Sequence, residues 1–333
     1  MHPLDPPANI TLESCSYPLS SAIQTDLIGL LRTEWTRTDY DWLEAMHGDY
    51  GEALAITSVL ARLRGEAIAT ATVHFIRRDP EIAVLGNVLT HRDHRGKRLA
   101  TRLIDLALAQ AKNAGCAVCL LGTAKNPRNV YLQHGFVWHS GVVMRKNFGA
   151  AGFEQLYFAG GQPAVVRPAN WGDLPGLSFF ASEPVPTICL DFPRGLMSTR
   201  YTPAARCLSN FPVLWYDTVA RGGMLAILAE PDIGRVFGFG SVTRDPGPAR
   251  QHIGIIEVAT HANYESCLPE MLSHLVHGCR DRALRLVHAF VAAGDEIKRR
   301  CFRSEAFLET ARLDAALRLG DQICDVIQYT KML

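Results

Sequence analysis

Hydrophobic and polar positions along the chain mark out its elements. In residues 19–32, LSSAIQTDLIGLLR, the apolar positions Ile23, Leu27, Leu30 and Leu31 recur at helical spacing behind a serine cap. Residues 54–63 alternate weakly, as a strand does. A tight turn at Gly65-Glu66 leads into AIATATVHFIRR, whose β-branched residues predict the hairpin partner. Asp79-Pro80 ends that strand, and IAVLGNVLT reads as another, apolar enough to be buried on both faces. A basic stretch follows, then a helix from Leu99 to about Asn113, stopped by Gly115. AVCLLGT reads as a further strand. NPRNVYLQHGF reads as a short helix closed by a glycine turn, with His134 standing outward, and VWHSGVVMRKNF as the closing strand.

The second half repeats this order. AVVRPANWGDLPGL gives a strand, an aspartate cap and a helix start, and GGMLAILAE and RVFGFGSVTR form a hairpin. HIGIIEVAT mirrors IAVLGNVLT, SCLPEMLSHLVHGCRDR mirrors the helix after the basic stretch, and LRLVHAFVA mirrors AVCLLGT. KRRCFRSEAF and DQICDVIQYTKML complete the series. A period of about 165 residues is a domain duplication and not a solenoid. Four glycines and a proline in 149–163 place a linker there. The expected organisation is therefore 1–148, a linker at 149–163, and 164–333.

The formal net charge is +1 over 333 residues, which gives no support for general nucleic-acid binding. No apolar run reaches the ~20 residues of a membrane span, and the N-terminus is polar and proline-rich. The nine cysteines are scattered. Cys116 and Cys119 form a lone C-x-x-C without a second pair at metal spacing, so buried thiols are expected, and no metal. These features together predict a soluble chain of a reducing compartment, the cytoplasm.

Against that neutral background, His91-Arg-Asp-His-Arg-Gly-Lys-Arg-Leu-Ala-Thr-Arg-Leu103 carries four arginines, a lysine and two histidines. A loop between a strand and a helix N-terminus is a natural phosphate site, because the first helical N–H groups and the helix dipole point into it. Arg95, Gly96, Lys97 and Arg98 precede the helix, and Thr101 lies in its first turn. The loop is neither a Walker loop nor a Rossmann fingerprint.

GNVLTHRDHRGKRLATRLI resembles the central motif of the GNAT acetyltransferase superfamily, [QR]-x-x-G-x-[GA], with Arg95 in the first place and Ala100 in the last. Arg98 stands where that motif has glycine, a residue free to take positive φ. AKNPRNVYLQHGF resembles a second element of the family, with Asn126 and Asn129 ahead of Tyr131 and Gly135-Phe136 closing it. The resemblance covers residues 8–148. It implies an α/β (α+β) fold of two tandem domains, each a mixed, mostly antiparallel central sheet flanked by helices. EVATHANYESCLPEM lacks an Arg-rich or Gly-rich loop, so the second domain reads as a degenerate copy without a cofactor site, there to complete the acceptor cleft or to dimerise.

The resemblance also implies acetyl-coenzyme A as cofactor and direct attack by an amine within a ternary complex. Val88 and Leu89 are then the amides facing the thioester carbonyl, with Thr90 beside the pantetheine. Arg95, Gly96, Lys97, Arg98, Leu99, Ala100 and Thr101 surround the pyrophosphate, and Asn126 and Asn129 hold the pantetheine arm. Tyr131 is the acid for the departing thiolate, a phenol of pKa about 10. Leu85, Gly86 and Asn87 occupy the places where many members carry a carboxylate base, which leaves His74, Glu81, His91 or a water. TEWTRTDYDWLEAMHGDY interleaves Trp35, Tyr40, Trp42 and Tyr50 with Glu34, Asp39, Asp41, Glu44 and Asp49. It reads either as an acceptor surface for a small amine or as an amphipathic helix with its aromatics inward. The leading expectation is N-acetylation of an amino sugar, an amino-acid derivative or an antibiotic. The alternatives are other acyl-coenzyme A chemistry, including decarboxylation or mycothiol-synthase-like transfer, and a non-catalytic acyl-coenzyme A or drug-binding protein.

Overall fold

A computed structural model describes residues 9–35, 52–123, 128–140, 143–149, 151–183, 189–190, 214–231, 234–319 and 322–333. The chain divides into two compact units, Met1–His139 with Val143–Ala151, and Ser140–Val142 with Gly152–Leu333.

The first unit begins with β1 (Ile10–Ser16), an edge strand with polar positions on both faces that the sequence pattern did not reveal. The helix α1 (Ser21–Arg32) buries Leu27, Leu30 and Leu31 and packs on the sheet. Ser20 precedes it in extended conformation, but its side chain makes no cap bond. β2 (Leu54–Leu63) and β3 (Glu66–Ile76) form the expected hairpin, turned by Arg64 and Gly65 at positive φ. β4 (Ile82–Thr90), α2 (Leu99–Ala114), β5 (Val118–Gly122) and α3 (Arg128–Leu132) follow. The predicted closing strand is two strands, β6 (Val137–Ser140) and β7 (Val143–Asn147).

The sheet order is β1-β2-β3-β4-β5-β7-β6. β4 and β5 run parallel; the other described ladders of this sheet are antiparallel. Alternate residues of β2 and β3, among them Val59, Ala61, Ala69, Ala71 and Val73, share a core with Leu99, Leu103, Ile104, Ala107 and Ala111 of α2. Gly115, at φ +99°, stops that helix, as its sequence predicts.

The stretch read as a linker holds ordered structure, and the division between the two units, at Ala151 and Gly152, falls within it. Phe153–Tyr157 is a short helix, α4, and Phe153, Tyr157 and Phe158 are buried within the second unit. The glycines disguised an aromatic anchor. The Tyr157 ring packs edge-on against Phe179 at 4.8 Å, and its hydroxyl accepts from the Val236 N–H at 2.8 Å.

The second unit continues with β8 (Val165–Pro168), α5 (Leu174–Ser182), β9 (Met224–Ala229), β10 (Val236–Arg244), β11 (Ile253–Thr260), α6 (Leu268–Asp281), β12 (Leu286–Ala292), α7 (Glu296–Ser304), β13 (Leu308–Leu319) and β14 (Gln322–Met332). Its order, β13-β14-β12-β11-β10-β9-β8, repeats that of the first sheet strand for strand. β11 and β12 form its parallel pair, in the place of β4 and β5.

Candidate active site

The site is built where the first sheet opens. β4 pairs with β5 only from Ile82↔Val118 to Val84↔Leu120, although β4 continues to Thr90. On its other edge β4 follows β3 from Ala83 to Gly86, then shifts register before Leu89 pairs with Thr70. The extra residue lies at Asn87–Val88, and Asn87 takes a left-handed φ of +49°. A bulge of this kind bends a strand and frees a main-chain group from the ladder. The predicted residues Val88 and Leu89 sit at it, and Thr90 closes the strand.

The basic loop turns next. Arg92–His94 form one 3-10 turn, Arg95 is extended, and Gly96 has φ +79°. Arg98 lies at φ 56°, ψ 23°, immediately before α2. It therefore adopts the backbone shape that a glycine takes without cost, and the departure from the motif preserves the turn. Arg95, Gly96, Lys97 and Arg98 are exposed, Ala100 and Thr101 are half-buried, and Leu99 anchors the helix in the core. The first-turn N–H groups of α2 have no carbonyl within the helix to bind. Arg95 Nε donates to Thr90 O at 3.1 Å, and its Nη2 donates to Glu34 Oε1. Lys97 Nζ lies 3.3 Å from His94 Nδ1, and Gln133 Nε2 donates to Thr101 Oγ1 at 3.1 Å.

Three buried polar atoms near this opening have no hydrogen-bond partner: Asn87 Nδ2, Thr90 Oγ1 and Arg102 Nη1. Buried polar groups are satisfied in folded proteins, so an orphan set beside exposed cations fits a ligand with amide and phosphate groups. Arg102 escaped the sequence reading. Only its placement in the first turn of a phosphate-facing helix signalled it.

Tyr131 lies in α3, is 7% exposed, and meets Phe136 edge-on at 6.1 Å. Burial pushes its pKa up to about 12. Asn126 lies outside the described residues, and Asn129 lies in α3, its side chain not among those described. His74 is buried within β3, paired between Ile56 and Val84, and burial pushes its pKa down to about 4. Its ring is shut off from solvent. Glu81 precedes β4 at the end away from the bulge, and its carbonyl accepts from Ala117 and Val118. His91 adjoins Thr90, and its Nδ1 accepts from the Asp93 N–H at 3.4 Å. Trp35 is 41% exposed just beyond α1; Asp39, Tyr40, Asp41, Trp42, Glu44, Asp49 and Tyr50 lie outside the described residues. His134 does not stand outward: it is buried, with Nδ1 2.9 Å from Asp105 Oδ1 of α2. A turn closed by His134 N–H to Tyr131 O and Gly135 N–H to Leu132 O folds it back against that helix. Cys116 and Cys119 are both buried, and burial pushes both thiols up. Among the described residues no cluster could hold a metal ion.

The same place in the second unit differs in each respect. The β10–β11 register runs from Gly238↔Thr260 to Arg244↔Gly254 without a shift. The turn after β11 is the 3-10 segment Ala262–Cys267, which holds no lysine or arginine. It is covered by the unit's own chain. Phe158 stacks on His261 at 4.2 Å, Asn263 Nδ2 donates to Phe158 O at 2.7 Å, and Tyr264 Oη donates to Ala159 O at 2.8 Å. Where β11 and β12 part, after Ile256↔Ala289, Glu257 is buried. It accepts from Lys298 Nζ at 2.6 Å and from the Leu190 N–H at 3.0 Å, and Leu190 packs with Ala292 and Val326. Burial works against the Lys298 charge, but Glu257 and Asp295 outweigh it and hold that pKa up.

Residues 24–136 match the family model described as acetyltransferase (GNAT) family. No curated protein matches the sequence. Among solved structures, similarity extends to a ribosomal-protein-alanine N-acetyltransferase from Brucella melitensis, at 20% identity over 51% of this chain and 99% of that one, TM-score 0.42. An N-acetyltransferase from Staphylococcus aureus Mu50 matches at 18% identity over 51% and 99%, TM-score 0.41. A GNAT superfamily phosphinothricin acetyltransferase from Sinorhizobium meliloti, in complex with acetyl-coenzyme A, matches at 14% identity over 51% and 88%, TM-score 0.42. With the bulged strand, the basic loop and α2 all inside the matched residues, the first unit carries a domain of the acetyltransferase (GNAT) family.

Proposed function

We propose that the protein is an acetyl-coenzyme A-dependent N-acetyltransferase that acylates a primary amine of a small molecule, by direct attack in a ternary complex. The observation that carries this is the opening between β4 and β5, with the bulge on one side and the cationic loop at its end. When bound, acetyl-coenzyme A supplies the thioester. The loop from Arg95 to Thr101 binds the pyrophosphate through guanidinium, ammonium and amide donors. Thr90 and the asparagines Asn126 and Asn129 orient the pantetheine arm. The Val88 and Leu89 amides take up negative charge as it develops on the carbonyl oxygen.

Tyr131 gives its hydroxyl proton to the departing sulfur. Its raised pKa keeps that proton in place at neutral pH. Trp35, Asp39, Tyr40 and Asp41 form the acceptor side, where acidic groups favour a cation. The amine proton passes to His91 or to water, since His74 is buried and Glu81 stands at the wrong end of β4. The test is calorimetric titration with acetyl-coenzyme A, then thiol release across a panel of amines. Binding with amine-dependent release is expected. No binding of any acyl-coenzyme A refutes the reading; binding without release points instead to a non-catalytic binder.

A further inference from the structure

We infer that Glu34 is a built-in stand-in for the cofactor's pyrophosphate, and that its displacement couples cofactor binding to the acceptor side of the site. The inference rests on the acetyl-coenzyme A reading above. The carboxylate is held in place by its own backbone: Thr33 N–H donates to Leu30 O, and the Glu34 and Trp35 N–H groups both donate to Leu31 O at the end of α1. From there Glu34 reaches across 61 residues of sequence to Arg95 Nη2, while Arg95 Nε stays on Thr90 O. The fork of the loop's leading arginine is thus shared between the end of β4 and an anion supplied by the protein itself.

The pair is replaceable. Its side chains are 54% and 36% exposed, and exposed ion pairs are weak. A pyrophosphate carries more charge, accepts two parallel guanidinium bonds, and also meets the free amides of α2, which Glu34 does not touch. A phosphate that takes the Nη1–Nη2 edge in parallel competes with Glu34 for Nη2. Binding of the cofactor therefore releases the Glu34 carboxylate beside Trp35, where it becomes available to an acceptor ammonium. Such coupling is reciprocal: an amine that engages Glu34 strengthens cofactor binding by the same factor.

The test compares wild type with Glu34→Gln, titrated with inorganic pyrophosphate, coenzyme A, and S-acetylpantetheine, which lacks the pyrophosphate. Trp35 emission provides a second readout, with Trp35→Phe as its control. The substitution is expected to tighten pyrophosphate and coenzyme A binding about two- to fivefold, the scale of an exposed pair, and to leave S-acetylpantetheine unchanged. Coenzyme A is expected to shift Trp35 emission in wild type, and Glu34→Gln to show the shifted emission without ligand. Equal or weaker pyrophosphate binding by a folded Glu34→Gln variant overturns the inference, as does an equal gain with S-acetylpantetheine. A wild type that binds no coenzyme A instead sinks the functional reading itself.

Discussion

Arg98 shows how much a single backbone angle decides. A non-glycine residue in the left-handed region costs about 1–2 kcal/mol, and Arg98 sits there at φ +56°. Arg98→Gly is expected to stabilise the protein by about 0.5–1 kcal/mol in urea unfolding, the strain relieved less the extra chain entropy of glycine. The same change removes a cation beside the phosphate cradle, so coenzyme A affinity is expected to fall a few-fold in titration. A variant that gains stability and affinity together contradicts this. Tyr131→Phe keeps the ring against Phe136 and is expected to cut turnover while leaving coenzyme A binding nearly intact. Equal loss of both marks Tyr131 as packing alone.

His74 carries a pH signature. Its folded pKa of about 4 lies below the ordinary 6.5, so between those values the unfolded chain holds more protons. Its contribution is present above pH 6.5 and is lost as the pH falls towards 4, to a total of about 3 kcal/mol. His74→Gln is expected to flatten the slope of stability against pH in that window. An unchanged slope shows the ring is not the group responsible. The loop's cationic make-up and its place ahead of α2 were legible in the sequence, as was the misfit at Arg98. The left-handed φ that resolves the misfit was not, because residue identity disfavours it and only the turn imposes it.

Legibility followed regularity at the level of elements. α2 could be read to within a residue, because Leu99, Leu103, Ile104, Ala107 and Ala111 keep a strict helical stripe and Gly115 stops it. β1 went unread because ITLESCS has no clean alternation at the sheet edge. The bulge at Asn87–Val88 went unread because an inserted residue has no composition of its own; only its effect on pairing with β3 shows it. The functional opening is therefore the part of the fold that pattern conceals, while the helix that supports it is the most evident. Leu103 is fully buried in the shared core. Leu103→Ala is expected to cost about 2–5 kcal/mol in urea unfolding, as other leucine truncations in packed cores do. A loss under 1 kcal/mol contradicts the packing described for α2.

At the scale of the molecule, two sheets with one strand order carry unlike interiors. The repeat was visible in the sequence as an order of segments. What fills the second opening was not, since Phe158 comes from the stretch read as a linker and Leu190 from one given no element. The second unit lacks the register shift and the cations at this place, and Phe158 stacks on His261 where the basic loop stands in the first. One coenzyme A per chain is expected by calorimetry; two equivalent sites contradict the reading. Lys298→Met, which strands Glu257 inside the protein, is expected to cost about 3–5 kcal/mol.

The plugged opening also bears on how a duplicated domain can stand without a ligand. Losing the arginines alone leaves a void between parting strands, and a void in a core costs about 24 cal/mol per Å³. Retirement of a binding site is therefore a packing problem before it is a chemical one. The second unit solves it with Leu190, Phe158 and a buried ion pair. A domain that carries its own filler has the same melting behaviour in every metabolic state. On the proposed reading its open sibling is the one that cofactor steadies.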